Sequence, residues 1–207
     1  MRIYGNPMST CTRKVLATFA EKNVNPELLV LDFAKGEHKS PEHMKRQPFG
    51  QMPVLEDGEF QMYESRAIMR YVDQALPGIS LTPADSKQRA RMEQWISVEM
   101  SDFTPHAMTF IQEHMFKPMF GHKGDPALAE AVRPKLAACC DVLEKALTGK
   151  QFLLGDHVSL ADIGFLPYID YLMKTPGGSE ITSRPNLNAW WERCSSRPSW
   201  KKATGQA

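Results

Sequence analysis

Apolar positions along the chain recur with two different periods, and the change between them divides it. In the first part short strand-like runs interleave with helical stretches. Arg2-Ile3-Tyr4 reads as a strand, and Thr12 to Lys22 as a helix with Val15, Leu16 and Phe19 on one face. Glu27 to Leu31 reads as a second strand and Pro41 to Gln47 as a short, weak helix. Asp57-Gly58 lies between two short apolar runs and signals a hairpin. Ser65 to Ala75 follows as a helix carrying Ile68, Met69 and Val72.

Leu76-Pro77-Gly78 closes this part, and the stretch to about Ser86 holds Pro77, Gly78 and Pro83 and reads as a linker. Beyond it the period is helical throughout. Arg89 to Phe116 carries Met92, Trp95, Ile96, Met100 and Phe103, and Pro105 should kink or split it. Pro126 to Leu147 carries Leu128, Val132, Leu136, Cys140, Leu143 and Leu147, with Pro134 interrupting the pattern for no functional reason that we find. Ser159 to Leu172 and Pro185 to Arg197 complete the set. His157-Val158-Ser159-Leu160-Ala161-Asp162-Ile163 spells a helix start, with Ser159 as N-cap, Asp162 three residues on, and Val158 and Ile163 as a staple. The order β-α-β-α-β-β-α followed by helices predicts an α+β, thioredoxin-like N-terminal domain over 1–78, a linker over 79–87 and an all-α C-terminal helical domain over 88–207.

Composition narrows the partners. With 207 residues, 42% hydrophobic and 24% charged, the chain reads as an ordinary globular protein. A net charge of +1 gives no reason to expect nucleic acid or an anionic membrane as the main partner. No apolar stretch approaches the ~20 residues of a membrane span, and Met1-Arg2-Ile3-Tyr4-Gly5 enters a strand pattern without a signal peptide. The four cysteines, Cys11, Cys139, Cys140 and Cys194, form no C-x-x-C pair and no metal spacing. Reduced thiols, a cytoplasmic location and no metal are expected.

The chemistry-bearing segment is Phe49-Gly50-Gln51-Met52-Pro53-Val54-Leu55-Glu56-Asp57-Gly58, followed by Tyr63-Glu64-Ser65-Arg66. A cis bond at Met52-Pro53, at the start of a strand, would leave the preceding backbone open to pair with another chain. Glu64-Ser65 opens a helix whose first N–H groups and hydroxyl can face an anion. A free peptide edge beside such a helix start suits a small peptide carrying a carboxylate, and glutathione is the obvious candidate.

The domain order and a set of motifs resemble the glutathione transferases, most closely the phi class of plants with its bacterial relatives. The motifs are Met8-Ser9-Thr10, Gly36-Glu37-His38-Lys39, Pro48-Phe49-Gly50-Gln51-Met52-Pro53, Glu64-Ser65-Arg66-Ala67-Ile68, Phe116-Lys117-Pro118-Met119-Phe120-Gly121 and Ser159-Leu160-Ala161-Asp162. They span nearly the whole chain. Thr10-Cys11-Thr12, Pro134 and the short tail after Trp200 depart from the plant pattern and suggest a bacterial member. The resemblance implies a homodimer, glutathione as co-substrate on the first domain, and an apolar electrophile between the domains.

It also implies roles for single residues. A thiolate is the nucleophile, and an unperturbed thiol is only a few per cent ionised at neutral pH. Ser9 matches the catalytic serine and would donate a hydrogen bond to the sulfur, although read alone it is a helix cap. His38 and Lys39 match the residues at the glycine carboxylate, Gln51 and Met52 those at the cysteinyl backbone, Pro53 the cis-proline, and Glu64 and Ser65 those at the γ-glutamyl end. Met8, Phe33, His106, Met115, Phe116, Met119 and Phe120 are candidates for the electrophile pocket, and many of these must serve helix packing instead. The expected activity is conjugation of glutathione to an electrophilic carbon, with peroxide reduction as a related reaction. Two alternatives stay open: thiol-disulfide exchange at Cys11, which also sits at the first helix start, and storage of apolar ligands without turnover.

Overall fold

The structure, a computed structural model, describes residues 1–206. The chain forms two compact units. One comprises Met1–Thr82 together with the segment that begins at Arg197, and the other is Pro83–Ser196. The sequence pattern predicts one helical domain over 88–207; the last helix instead clusters with the first unit.

The first unit is built on four strands, β1 (Arg2–Gly5), β2 (Glu27–Val30), β3 (Val54–Asp57) and β4 (Phe60–Tyr63), in the order β2-β1-β3-β4. β1 runs parallel to β2 with Gly5 opposite Val30, and antiparallel to β3 with Tyr4 opposite Val54. β4 returns antiparallel to β3, with Tyr63 opposite Val54 and Asp57 opposite Phe60. The hairpin loop is therefore Gly58-Glu59. Gly58 has φ 61° and Glu59 does not share the left-handed region, the pattern of a type II′ turn rather than an Asp-Gly type I′ loop. The helices of this unit are α1 (Thr10–Glu21), α2 (Pro41–Arg46) and α3 (Ser65–Ala75), and α1 packs against α3. Ile3, Val15, Phe19, Leu55, Ile68 and Val72 are fully buried and form the core. Lys22 and Asp73 make a buried pair at 3.1 Å, and Lys22 Nζ also donates to the carbonyls of Asp73 and Ile79. With Leu81 N–H on Asp73 Oδ1 at 2.9 Å, these bonds fix the path of the chain leaving α3 and satisfy both buried charges.

The second unit holds α4 (Ser86–Val98), α5 (Thr104–Ile111), α6 (Lys117–Met119), α7 (Pro126–Ala146), α8 (Leu160–Leu172), α9 (Ser179–Thr182) and α10 (Pro185–Ser195). Where the sequence predicts a kink or split at Pro105, a π turn lies over Glu99–Phe103, and the Thr104 N–H bonds back to Glu99. A second π turn, Gln112–Phe116, precedes Pro118 in the same way. α7 runs unbroken through Pro134. Every residue of α8 is buried, as a helix apolar around most of its circumference must be. Its start is held by Asp162, which accepts from Ser159 N–H, Ser159 Oγ, Leu153 N–H and Trp190 Nε1. The run read as one helix from Pro185 to Arg197 ends at Ser195, and α11 (Pro198–Thr204) follows separately, packed on α1.

Candidate active site

Strand register alone gathers the candidate residues of the first unit. β1 and β2 finish, β3 starts and β4 finishes at the same end of the sheet, because Gly5 lies opposite Val30 and Val54 opposite both Tyr4 and Tyr63. The segments leaving that end carry Ser9, His38 with Lys39, Gln51-Met52-Pro53 and Glu64-Ser65.

Ser9 is the N-cap of α1, in extended conformation (φ −72°, ψ 125°), and its Oγ accepts from Thr12 N–H at 3.2 Å. Accepting that bond leaves the hydroxyl proton available to donate. The cap and a donor role are thus compatible. The loop that carries Ser9 is organised by Asn6. Its Nδ2 donates to Leu31 O at 2.8 Å, its Oδ1 accepts from Met8 N–H at 2.9 Å, and its carbonyl accepts from Ser9 N–H at 2.8 Å. Gly5 permits this approach: a Cβ there would lie 2.6 Å from Thr12 Oγ1. Cys11 is the second residue of α1, half-buried and free.

The segment after β2 places His38 and Lys39 in one turn of 3-10 helix. His38 stands edge-on to Phe33 at 5.3 Å, and its Nδ1 is buried with no hydrogen-bond partner among the described residues. Burial first, then the charges of Lys39 and His43, hold its pKa below the usual histidine value. Lys39 is exposed, and its Nζ donates to Phe49 O at 2.9 Å.

Met52-Pro53 is cis, as the resemblance implies. Gln51 is exposed, whereas Met52 is buried at its side chain. Neither the N–H nor the carbonyl of Met52 has a hydrogen-bond partner among the described residues. Two residues that sequence reasoning missed hold the preceding loop. Gln47 Oε1 accepts from Phe49 N–H at 2.7 Å and Gln51 N–H at 3.1 Å, and His43 Nε2 lies 2.7 Å from Gln51 O. His43 lies within α2 and Gln47 is the extended residue that ends it, a placement that no motif in the sequence announces.

Glu64 precedes α3 with φ 72° and ψ 105°, a left-handed backbone in a non-glycine residue that costs about 1–3 kcal/mol. α3 has no side-chain cap, in contrast to α1, α2, α4 and α7, which Ser9, Ser40, Asp85 and Asp125 cap. Ser65 is buried at its first position.

The electrophile candidates are distributed over both units. Met8 and Phe33 are half-buried in the first. In the second, His106 is half-buried on α5, with its pKa lowered mainly by burial and then by Lys135. Met115 and Phe116 are half-buried on the second π turn, where Phe116 stands edge-on to Tyr171 at 5.1 Å. Met119 and Phe120 are about half exposed. Among the described residues no group of His, Cys, Asp and Glu is arranged to hold a metal ion.

Residues 1–74 match the glutathione S-transferase N-terminal domain, and residues 103–198 match the glutathione S-transferase C-terminal domain. The chain is 38% identical over 205 residues to glutathione S-transferase F12 of Arabidopsis thaliana, covering 98% of this chain and 96% of that protein. It is similar to the crystal structure of glutathione transferase F7 from Populus trichocarpa, with a TM-score of 0.93, 38% identity and coverage of 99% and 98%. It is also similar to glutathione S-transferase I from maize in complex with an atrazine–glutathione conjugate, with a TM-score of 0.90, 32% identity and coverage of 99% and 96%. With both domains matched and relatives of this identity along nearly its full length, the chain belongs to the glutathione S-transferase family and is a transferase whose co-substrate is glutathione.

Proposed function

We propose that the chain is a phi-class member in which the Ser9 hydroxyl stabilises the glutathione thiolate for attack on an apolar electrophile. One observation carries this reading: Ser9 caps α1 through its oxygen lone pair and so keeps its proton for an incoming sulfur, at the sheet end where the Met52 backbone is unpaired. A hydrogen bond to the charged form favours it, and the partial positive potential at the start of α1 acts in the same direction. Ser9 is a donor here, since a serine hydroxyl is too weak a base to take the thiol proton.

The tripeptide then lies across the four segments. The uncapped first turn of α3 takes the γ-glutamyl carboxylate at Ser65, and Glu64, set in its strained conformation, faces the ammonium. Met52 pairs with the cysteinyl backbone as one strand adds to another. Lys39 has donors to spare beyond its bond to Phe49 O and supplies the charge for the glycine carboxylate. His38, beside Lys39 in the same turn, contributes hydrogen bonding. The electrophile is taken by apolar side chains of the set named from sequence. Peroxide reduction would use the same thiolate.

A homodimer is supported by the exposed apolar side chains Phe49 (63%) and Phe60 (48%) on the first unit, and sedimentation of the purified protein tests it. The free cysteines fit a reducing compartment such as the cytoplasm. No helix among the described residues is long and apolar enough to cross a membrane. The direct experiment is a crystal structure with glutathione bound. Ser9 Oγ within hydrogen-bond reach of the sulfur supports the reading, and Cys11 Sγ in that position transfers the chemistry to thiol exchange.

A further inference from the structure

We infer that His43 and Gln47 form a clamp that aims the Met52 N–H at glutathione, and that both are positioning residues for the reaction. This rests on the proposed placement of glutathione along Gln51-Met52. Each polar backbone atom of Phe49 and Gln51 is held by a side chain from residues 39–47. Gln47 Oε1 accepts both N–H groups, Lys39 Nζ donates to Phe49 O, and His43 Nε2 meets Gln51 O. The clamp stops one residue before Met52, whose backbone groups are unpaired.

The carbonyl of Gln51 can only accept, so His43 Nε2 is the donor and carries a proton. The Gln51–Met52 peptide is trans, since the described chain has its cis bond at Met52-Pro53. In a trans peptide the C=O and the following N–H point in opposite directions. Turning Gln51 O onto His43 therefore turns Met52 N–H away from α2. Histidine is a costly choice for this position. It is 2% exposed, and its Nδ1 is buried without a partner among the described residues, which a leucine of similar size would avoid. What histidine supplies is a rigid donor to one carbonyl.

Glutathione binding by calorimetry and steady-state kinetics on the full-length protein test the clamp. His43→Leu is expected to raise the glutathione Kd and KM about tenfold. The electrophile KM and kcat at saturating glutathione should stay within about twofold. His43→Gln, whose amide can restore a donor near the Nε2 position, should recover most of the affinity. In nitrogen NMR of the wild type, His43 should carry a proton on Nε2, a readout that does not depend on whether the leucine variant folds. Unchanged glutathione affinity in His43→Leu, an equal loss in both substrates' KM, or a proton on Nδ1 instead would overturn the clamp. If the wild type itself takes up no glutathione, the placement of the tripeptide fails first, a result distinguishable from failure of the clamp alone.

Discussion

Ser9 has two hydrogen-bond duties, and a pair of substitutions separates them. Glycine is nearly as good a cap as serine, whereas alanine loses about 1 kcal/mol. Ser9→Gly should therefore unfold within a few tenths of a kcal/mol of wild type, and Ser9→Ala about 1 kcal/mol lower. Both should lose about 10- to 100-fold in conjugation rate, the worth of one hydrogen bond to a charged acceptor. Full activity in the folded glycine variant would reduce Ser9 to a cap. Gly50 offers a second test at this scale. Its φ is 60°, and a Cβ there would lie 2.6 Å from Lys39 Cδ and 2.8 Å from Met44 Sδ. Gly50→Ala should displace Lys39, raise the glutathione KM several-fold and lower stability by about 1–2 kcal/mol, which kinetics and thermal unfolding would record together. The motifs bearing Ser9, Met52-Pro53 and Glu64-Ser65 are legible in the sequence because turn chemistry and caps are local. Asn6, His43 and Gln47 are not, since their function depends on which carbonyl the fold brings within 3 Å.

At the scale of elements, the two π turns have one cause. Pro105 and Pro118 each lack an N–H and crowd the carbonyl four residues back, and each is preceded by a turn widened to a five-residue bond. The sequence predicts the break at Pro105 but not its form, because propensity ranks residues without choosing among ways to absorb a missing donor. Pro134 is the contrasting case, exposed within an unbroken α7. Pro134→Ala should raise stability by about 1–3 kcal/mol, seen as a higher unfolding midpoint; a lower midpoint would mean the proline relieves strain elsewhere in α7. The capping motif at Ser159 is legible in full, yet its larger role is tertiary. Burial drives the Asp162 pKa up, and its four donors oppose that. Asp162→Ala strands those donors and should cost about 3–5 kcal/mol. Thermal unfolding would show it, and a loss under about 1 kcal/mol would contradict the arrangement.

For the whole molecule, the end of the chain belongs to the beginning. Arg197 clasps Glu21 of α1 through two bonds, at 2.6 and 2.7 Å, and Trp200 is 1% exposed. Sequence periodicity runs on from Pro185 to Arg197 and carries no sign that α11 clusters with the first unit. Trp200→Ala should cost about 3–5 kcal/mol and weaken glutathione binding through the first unit. Thiol chemistry separates at this scale too. Cys140 is pushed up to about 12 by burial and should resist alkylation in the folded protein at pH 8, while half-buried Cys11 reacts. The central claim is a stabilised thiolate, and titrating bound glutathione by thiolate absorbance reads it directly. In wild type the sulfur should ionise about two pH units below the free thiol, and in Ser9→Gly it should return most of the way. An unshifted thiol in the wild-type complex, or the same shift in both proteins, would contradict it.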